Sequence, residues 1–202
     1  MRKGQLFIIS GPSGAGKGTI CHELVKESNV IFSVSYTTRE PRPGEKEGVE
    51  YFFVTKGRFQ ELIEEEKLLE YALNFENFYG TPKAPVLKAI EEGKDVILDI
   101  DIKGALSIKK NYPDGIFIFI LPPSMSELRK RITGRGTELP EAIALRMKGV
   151  LKEVSYIDKY DYCVVNDQLH EAVSRVKAIM MAEHSRVSAD IYKLIETYKE
   201  EI

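Results

Sequence analysis

Gln5-Leu6-Phe7-Ile8-Ile9-Ser10-Gly11-Pro12-Ser13-Gly14-Ala15-Gly16-Lys17 is the stretch that decides how this chain folds. Leu6 to Ile9 is an unbroken apolar run without polar alternation. As a strand it must be buried on both faces, the condition of a parallel sheet covered by helices. The run leads into Gly11-x-x-x-x-Gly16-Lys17, and helical character follows from the glycine loop to about Lys26. Strand, glycine loop and helix in this order make a phosphate cradle. Glycines let successive N–H groups turn inward, the helix N-terminus adds positive potential, and the lysine reaches the β- and γ-phosphates. Gly11, Pro12, Ser13, Gly14, Ala15, Gly16, Lys17, Gly18 and Thr19 are therefore expected to hold a nucleoside triphosphate. The general pattern places Ser or Thr directly after the lysine as a Mg²⁺ ligand; here Gly18 stands there and the hydroxyl comes one residue later, at Thr19.

Working outward, short apolar runs alternate with longer amphipathic segments, which predicts an α/β protein. Strands are expected at Gln5–Ser10, Asp95–Ile100, Gly115–Leu121 and Tyr162–Val165. Helices are expected across Gly104–Lys110, from the capping box Ser124-x-x-Glu127, from about Pro140 to Tyr156, and over Leu169–Arg186, with helical spacing again after Ser188. Between the first strand and Lys94 the regularity changes. Tyr51-Phe52-Phe53-Val54, an acidic helix from about Lys56 to Glu66, and a strand over Leu68–Leu73 suggest an inserted subdomain at 34–92.

With 202 residues and 43% hydrophobic content, one main core with appendages is expected. A formal charge of −2 gives no general attraction to nucleic acid or anionic membrane, so any basic site is local. Neither Cys21 nor Cys163 belongs to a C-x-x-C pair, which argues for a reduced, cytoplasmic protein without a zinc site. The apolar run after Met1-Arg2-Lys3-Gly4 is too short for a signal-peptide core, and no stretch approaches the roughly 20 apolar residues of a membrane span. His22, His170 and His184 lack partners at ligand spacing and read as surface or helix residues.

The second polar set begins at Ser35-Tyr36-Thr37-Thr38-Arg39-Glu40-Pro41-Arg42-Pro43-Gly44-Glu45. Arg39 and Arg42 lie on a Pro- and Gly-bearing loop, from which they can converge on one phosphate with bidentate hydrogen bonds. Leu69-Glu70-Tyr71 and Asn77-Phe78-Tyr79-Gly80-Thr81-Pro82 follow. Asp99 and Asp101 close the apolar run Val96-Ile97-Leu98; at strand spacing they would share a face at the ligand-binding end of the sheet, although strand-terminal turn aspartates would look the same. Asp101-Ile102-Lys103-Gly104 also matches the D-x-x-G of GTPases, but no N-K-x-D or T-K-x-D element accompanies it.

From about Gln5 to His184 the chain resembles guanylate kinase. T-T-R-x-P-R-x-G-E, Y-x-F, Y-G-T, D-I-D-x-x-G, P-P-S, R-G-T-E and V-x-N-D occur in that family's order. Gly18 stands where the family commonly has serine, and Tyr71 where it has tryptophan. The resemblance implies an α/β fold with a P-loop NTPase-type parallel sheet core and helices on both faces, an inserted α+β GMP-binding subdomain and a mobile helical lid. One domain, 1–202, would comprise a core (1–33, 93–125, 157–202), the insert (34–92) and the lid (126–156). The implied reaction moves the γ-phosphoryl group of MgATP to GMP, and to dGMP. Glu70 and Asp101 would accept from guanine N1 and N2, Ser35 and Thr81 would face O6, and Tyr51, Tyr79, Arg39 and Arg42 would hold the GMP phosphate. Phosphoryl transfer asks chiefly for positioning and charge neutralisation, which falls to Lys17, Arg39, Arg42, Arg131, Arg135 and Arg146. Asp99 is assigned to Mg²⁺ through water, with Thr19 a further metal candidate, while Arg135 and Asn166 would meet ATP. The expected partners are ATP and GMP, with no nucleic acid, membrane or obligate protein partner. A kinase for another nucleoside monophosphate, or a non-catalytic binding module of the same fold, remains open at this stage.

Overall fold

Leu6, Phe7, Ile8 and Ile9 are all buried, and alternate members face opposite layers of helices. The computed structural model describes residues 3–27, 29–74, 76–133, 140–187 and 189–201, the side chains of 140–146 and 189–190 excepted. In chain order the elements are β1 (Leu6–Ser10), α1 (Lys17–Leu24), β2 (Val30–Phe32), β3 (Ser35–Thr37), β4 (Tyr51–Phe53), α2 (Lys56–Glu64), β5 (Leu68–Asn74), β6 (Asn77–Pro82) and α3 (Lys83–Glu91). There follow β7 (Asp95–Asp99), α4 (Ile102–Asn111), β8 (Ile116–Leu121), α5 (Met125–Thr133), α6 (Pro140–Val154), a 3₁₀ turn (Ile157–Lys159), β9 (Tyr162–Val165), α7 (Leu169–His184) and α8 (Ala189–Glu200).

The main sheet has the order β2-β7-β1-β8-β9 and is parallel throughout. On one face Phe7, Ile9, Ile97, Ile118 and Val164 pack with Ile20 and Leu24 of α1 and Val173 and Val176 of α7. On the other, Leu6, Ile8, Val96, Leu98 and Phe117 meet Val86 and Ala89 of α3 and Ala105 and Ile108 of α4. Helix α3, although it falls within the 34–92 stretch, thus covers the main sheet. Placing β1 centrally puts the glycine loop at the carboxyl edge of the sheet, where α/β proteins bind ligands.

The second sheet, β4-β3-β6-β5, mixes a parallel pair (β3 with β4) and antiparallel pairs (β3 with β6, β5 with β6). The sequence reading located β4, α2 and β5 but not β2, β3, β6 or α3. In Asn77–Pro82 the strand-favouring Phe78, Tyr79 and Thr81 are interrupted by Asn77, Gly80 and Pro82, so local propensity is divided and cross-strand pairing decides.

Three local readings change. Strand β7 stops at Asp99, and Asp101 is the N-cap of α4 with extended backbone (φ −74°, ψ 174°), its carboxylate accepting from Gly104 N at 2.7 Å. Asp99 and Asp101 therefore do not continue one strand, and α4 begins at Ile102 because the short acidic side chain caps it. At α5, Ser124 Oγ accepts from Glu127 N at 3.1 Å, but the Glu127 carboxylate goes forward to Arg131 Nε, also at 3.1 Å, and the capping box is made in one direction. His184 lies on a helix as read, yet it is partly buried, with Nε2 at 2.6 Å from Asp95 Oδ2, joining the end of α7 to the start of β7.

Candidate active site

The phosphate loop is held from outside by its neighbours. Gly16 takes φ 90°, and a Cβ there would stand 2.3 Å from Asn166 Nδ2, so only glycine fits. That Asn166 amide, at the end of β9, donates to Ala15 O at 2.8 Å, while its backbone carbonyl accepts from Arg131 Nη2 at 3.1 Å. Asn166 is buried and its amide is directed at the loop backbone, which it braces from the end of β9. Arg131 thereby sits beside the loop as well. Lys17 folds back over it, donating to Gly11 O at 2.8 Å and Pro12 O at 3.4 Å. These neutral acceptors are exchangeable for phosphate oxygens by rotation of a flexible stem.

Two carboxylates face this region. Burial raises the Asp99 carboxyl above its ordinary range, opposed by the charge of Lys17. A Cβ on Gly18 would lie 3.5 Å from Asp99 Oδ2, an ordinary contact, so residue 18 borders this carboxylate. Glu153 near the end of α6 is also raised by burial, with the charge of Lys17 and the Ser13 N–H pulling the other way. Glu153 was not anticipated from the sequence; on a helix of mixed composition nothing marks it.

The second sheet carries the other half of the site. Ser35 pairs with Tyr51 across β3 and β4, Glu70 pairs with Thr81 across β5 and β6, and the Tyr36 to Gly80 register brings Ser35 opposite Thr81. Directly opposed residues share a face, so Tyr51, Ser35, Thr81 and Glu70 form one row across four strands. Tyr79, two residues from Thr81, lies on the same face, its ring 5.8 Å from that of Tyr51. Thr81 Oγ1 donates to Glu70 Oε1 at 2.7 Å, and both side chains are buried. Burial pushes the Glu70 carboxyl up to about 7; the Thr81 hydroxyl opposes this and the charge of Asp101 adds to it. Gly104 explains the D-x-x-G pattern: a Cβ there would stand 2.7 Å from Glu70 Oε2.

Arg39 Nη2 lies 2.9 Å from both carboxylate oxygens of Glu45, and its guanidinium is 5.5 Å from the centre of the Tyr51 ring. Glu45 also accepts from Arg42 N at 2.8 Å, so one carboxylate organises the loop that carries both arginines. Burial disfavours its charge, but the Arg42 N–H and the Arg39 guanidinium outweigh this and hold the carboxyl below the usual range. Burial likewise pushes the Tyr51 hydroxyl up to about 12, with Asp99 the next influence. Asp99 is thus felt by Tyr51 on the second sheet and feels Lys17 on the loop. It therefore lies within electrostatic reach of both the row and the loop.

Residues 3–183 match the sequence profile described as Guanylate kinase. The chain belongs to the guanylate kinase family. It is 54% identical over 187 residues to the guanylate kinase of Clostridium tetani, which covers 93% of this chain and 90% of that protein. To the guanylate kinase of Clostridioides difficile it is 48% identical over 203 residues, covering 100% and 99%. The crystal structure of guanylate kinase from Anaplasma phagocytophilum superposes with a TM-score of 0.82 at 32% identity, covering 98% of this chain and 96% of that one. These likenesses span both sheets, so guanylate kinase membership embraces the phosphate loop and the insert together.

Of the residues expected to act, the structure brings Lys17, Asp99 and Arg131 to the loop and Ser35, Tyr51, Glu70, Tyr79, Thr81 and Asp101 to the facing pocket, with Arg39 and Arg42 at its rim. Thr19 is exposed in the first turn of α1. Arg135 lies outside the described residues, and Arg146 lies on α6 with its side chain outside them. Sequence reasoning quoted Glu45 and Gly104 inside motifs without giving them roles. It missed Asn74, whose amide donates to Asp101 Oδ2.

Proposed function

We propose that this protein transfers the γ-phosphoryl group of ATP to GMP, and to dGMP, giving ADP and GDP or dGDP. The observation that carries the reading is the row Tyr51, Ser35, Thr81 and Glu70 set opposite a phosphate loop and completed by Asp101. Guanine presents donors at N1 and N2 and an acceptor at O6. Glu70 and Asp101 supply acceptors for the first two, and Ser35 supplies a hydroxyl for the third. While Thr81 donates to Glu70, its oxygen still offers lone pairs to the guanine edge. Adenine carries its amino group at C6 and none at C2, so it leaves the buried Glu70 and the half-buried Asp101 carboxylates unpaired, a mismatch worth up to about 10⁴–10⁵ in discrimination.

Arg39, Arg42, Tyr51 and Tyr79 hold the GMP phosphate so that one of its oxygens faces the γ-phosphorus in line. Lys17, Arg131, Arg135 and Arg146 neutralise the equatorial oxygens, and no general base is needed because the transition state is loose. Mg²⁺ suits the oxygen donors at this edge of the sheet: Asp99 borders residue 18, and Thr19 follows it. Asp99 would hold the ion through water, with Thr19 and the ATP phosphates as further donors. The ion supplies charge neutralisation to the phosphoryl group.

Release of ADP, measured with MgATP and GMP, dGMP, AMP, CMP or UMP in turn, tests the proposal. Turnover with GMP and dGMP alone is expected. No turnover with any acceptor would remove the kinase reading, and AMP turned over as well as GMP would remove the guanine pocket.

A further inference from the structure

Asp101 joins two parts of the molecule. Its Oδ1 accepts from Gly104 N at 2.7 Å and so caps α4, which packs on the main sheet. Its Oδ2 accepts from the Nδ2 of Asn74, the last residue of β5 in the second sheet. Asn74 is itself set by its pairing with Asn77 across β5 and β6. One residue before Asn74 and two after Asp101, Lys103 Nζ donates to Leu73 O at 3.4 Å. The acceptor sheet is therefore tied to the first turn of α4 at neighbouring points, and the tie from Asn74 ends on a carboxylate of the proposed guanine pocket.

We infer that Asn74 is a positioning residue for guanine recognition, fixing the Asp101 carboxylate beside Glu70; this rests on the reading of those two acids as guanine acceptors. Rotation of an aspartate about χ2 is only weakly restricted by its own side chain. The Gly104 N–H restrains one oxygen, and the Asn74 amide restrains the other, which sets the carboxylate plane. A carboxylate only accepts hydrogen bonds, so Asn74 must present its NH₂ group. A neutral amide does this without acting as a counter-ion, leaving the Asp101 charge for the guanine donors.

The test is steady-state kinetics of full-length wild type, Asn74→Ala and Asn74→Asp, with GMP and ATP varied separately, alongside thermal unfolding of each protein. Loss of one hydrogen bond to a charged group is expected to raise KM for GMP about tenfold in Asn74→Ala. KM for ATP should stay within about twofold and kcat should change less than KM. The near-isosteric Asn74→Asp keeps the shape but adds a third carboxylate, and its KM for GMP should rise further; it carries the test if the alanine variant does not fold. An unchanged KM for GMP in a folded variant, or equal rises for both substrates, overturns the proposal. A lower melting temperature with reduced kcat and unmoved KM values would make Asn74 a structural brace only and likewise overturn it. Wild type that fails to phosphorylate GMP would instead remove the proposed reaction, a result the wild-type arm reads directly.

Discussion

Glu70→Gln should make the protein more stable and a poorer GMP kinase, and pH should separate the two effects. Burial raises this carboxyl from 4.5 to about 7, so at neutral and alkaline pH the fold carries an ionised group that it solvates poorly. At about 1.4 kcal/mol per pH unit, the penalty is about 3 kcal/mol as an upper bound. Below about pH 4.5 the carboxyl is protonated in both folded and unfolded chains, and Gln and Glu should be nearly equivalent. Between 4.5 and 7 the unfolded chain releases the proton while the folded one keeps it, so wild type loses stability relative to Gln. Above 7 both forms are ionised and the gap stays constant. For a chain of this size 1 kcal/mol corresponds to about 2–4 °C, so Gln should melt several degrees higher at pH 8 and at nearly the same temperature at pH 4.5. Gln keeps one acceptor for Thr81 but sets an NH₂ against the guanine donors, so KM for GMP should rise by at least about a hundredfold, with KM for ATP little changed. Calorimetry at the two pH values and kinetics with each substrate varied are the assays. A melting difference independent of pH, or a variant less stable at pH 8, would refute the burial argument. Equal effects on both KM values would remove Glu70 from the acceptor pocket.

Lys17→Ala should lower kcat by at least about a hundredfold through lost stabilisation of phosphoryl charge, read by single-turnover phosphoryl transfer; near-normal transfer in a folded variant would refute that role. Gly104→Ala places a methyl group 2.7 Å from Glu70 Oε2 and should destabilise by about 1–3 kcal/mol while raising KM for GMP selectively. A variant that melts and binds like wild type would mean the pocket relaxes freely. Glu45→Gln removes the charge that holds Arg39, and it should raise KM for GMP about three- to tenfold without altering KM for ATP. An unchanged KM would show that Glu40 O and the Tyr51 and Phe53 rings place Arg39 without the Glu45 charge.

Legibility from sequence followed the range of the interactions. Strands β1, β7 and β8 were readable because burial on both faces leaves a local apolar run, as Leu6–Ile9 and Ile116–Ile120 show; the edge strand β9, with Cys163 and Val165 exposed, was readable from its apolar composition. Strand β3 is three residues long and pairs with segments distant in sequence, and β6 is interrupted by Gly80 and Pro82, so neither leaves a clear local signal. Asn74 was invisible for the same reason, since its partner Asp101 is 27 residues away.

The sequence by itself determined the phosphate loop, the family and the inventory of acids and arginines, because each rests on a local pattern or an ordered set of motifs. Tertiary structure decided what those residues do together. Sheet register, parallel between β3 and β4 and antiparallel across β3, β6 and β5, placed Ser35, Tyr51, Glu70 and Thr81 in one row; helix capping took Asp101 out of the strand; and the approach of Glu70 left little room for any side chain at Gly104. The cap is local, but the row and the Glu70 contact join segments distant in sequence, so the site's geometry follows mainly from packing and register rather than from any one stretch of chain.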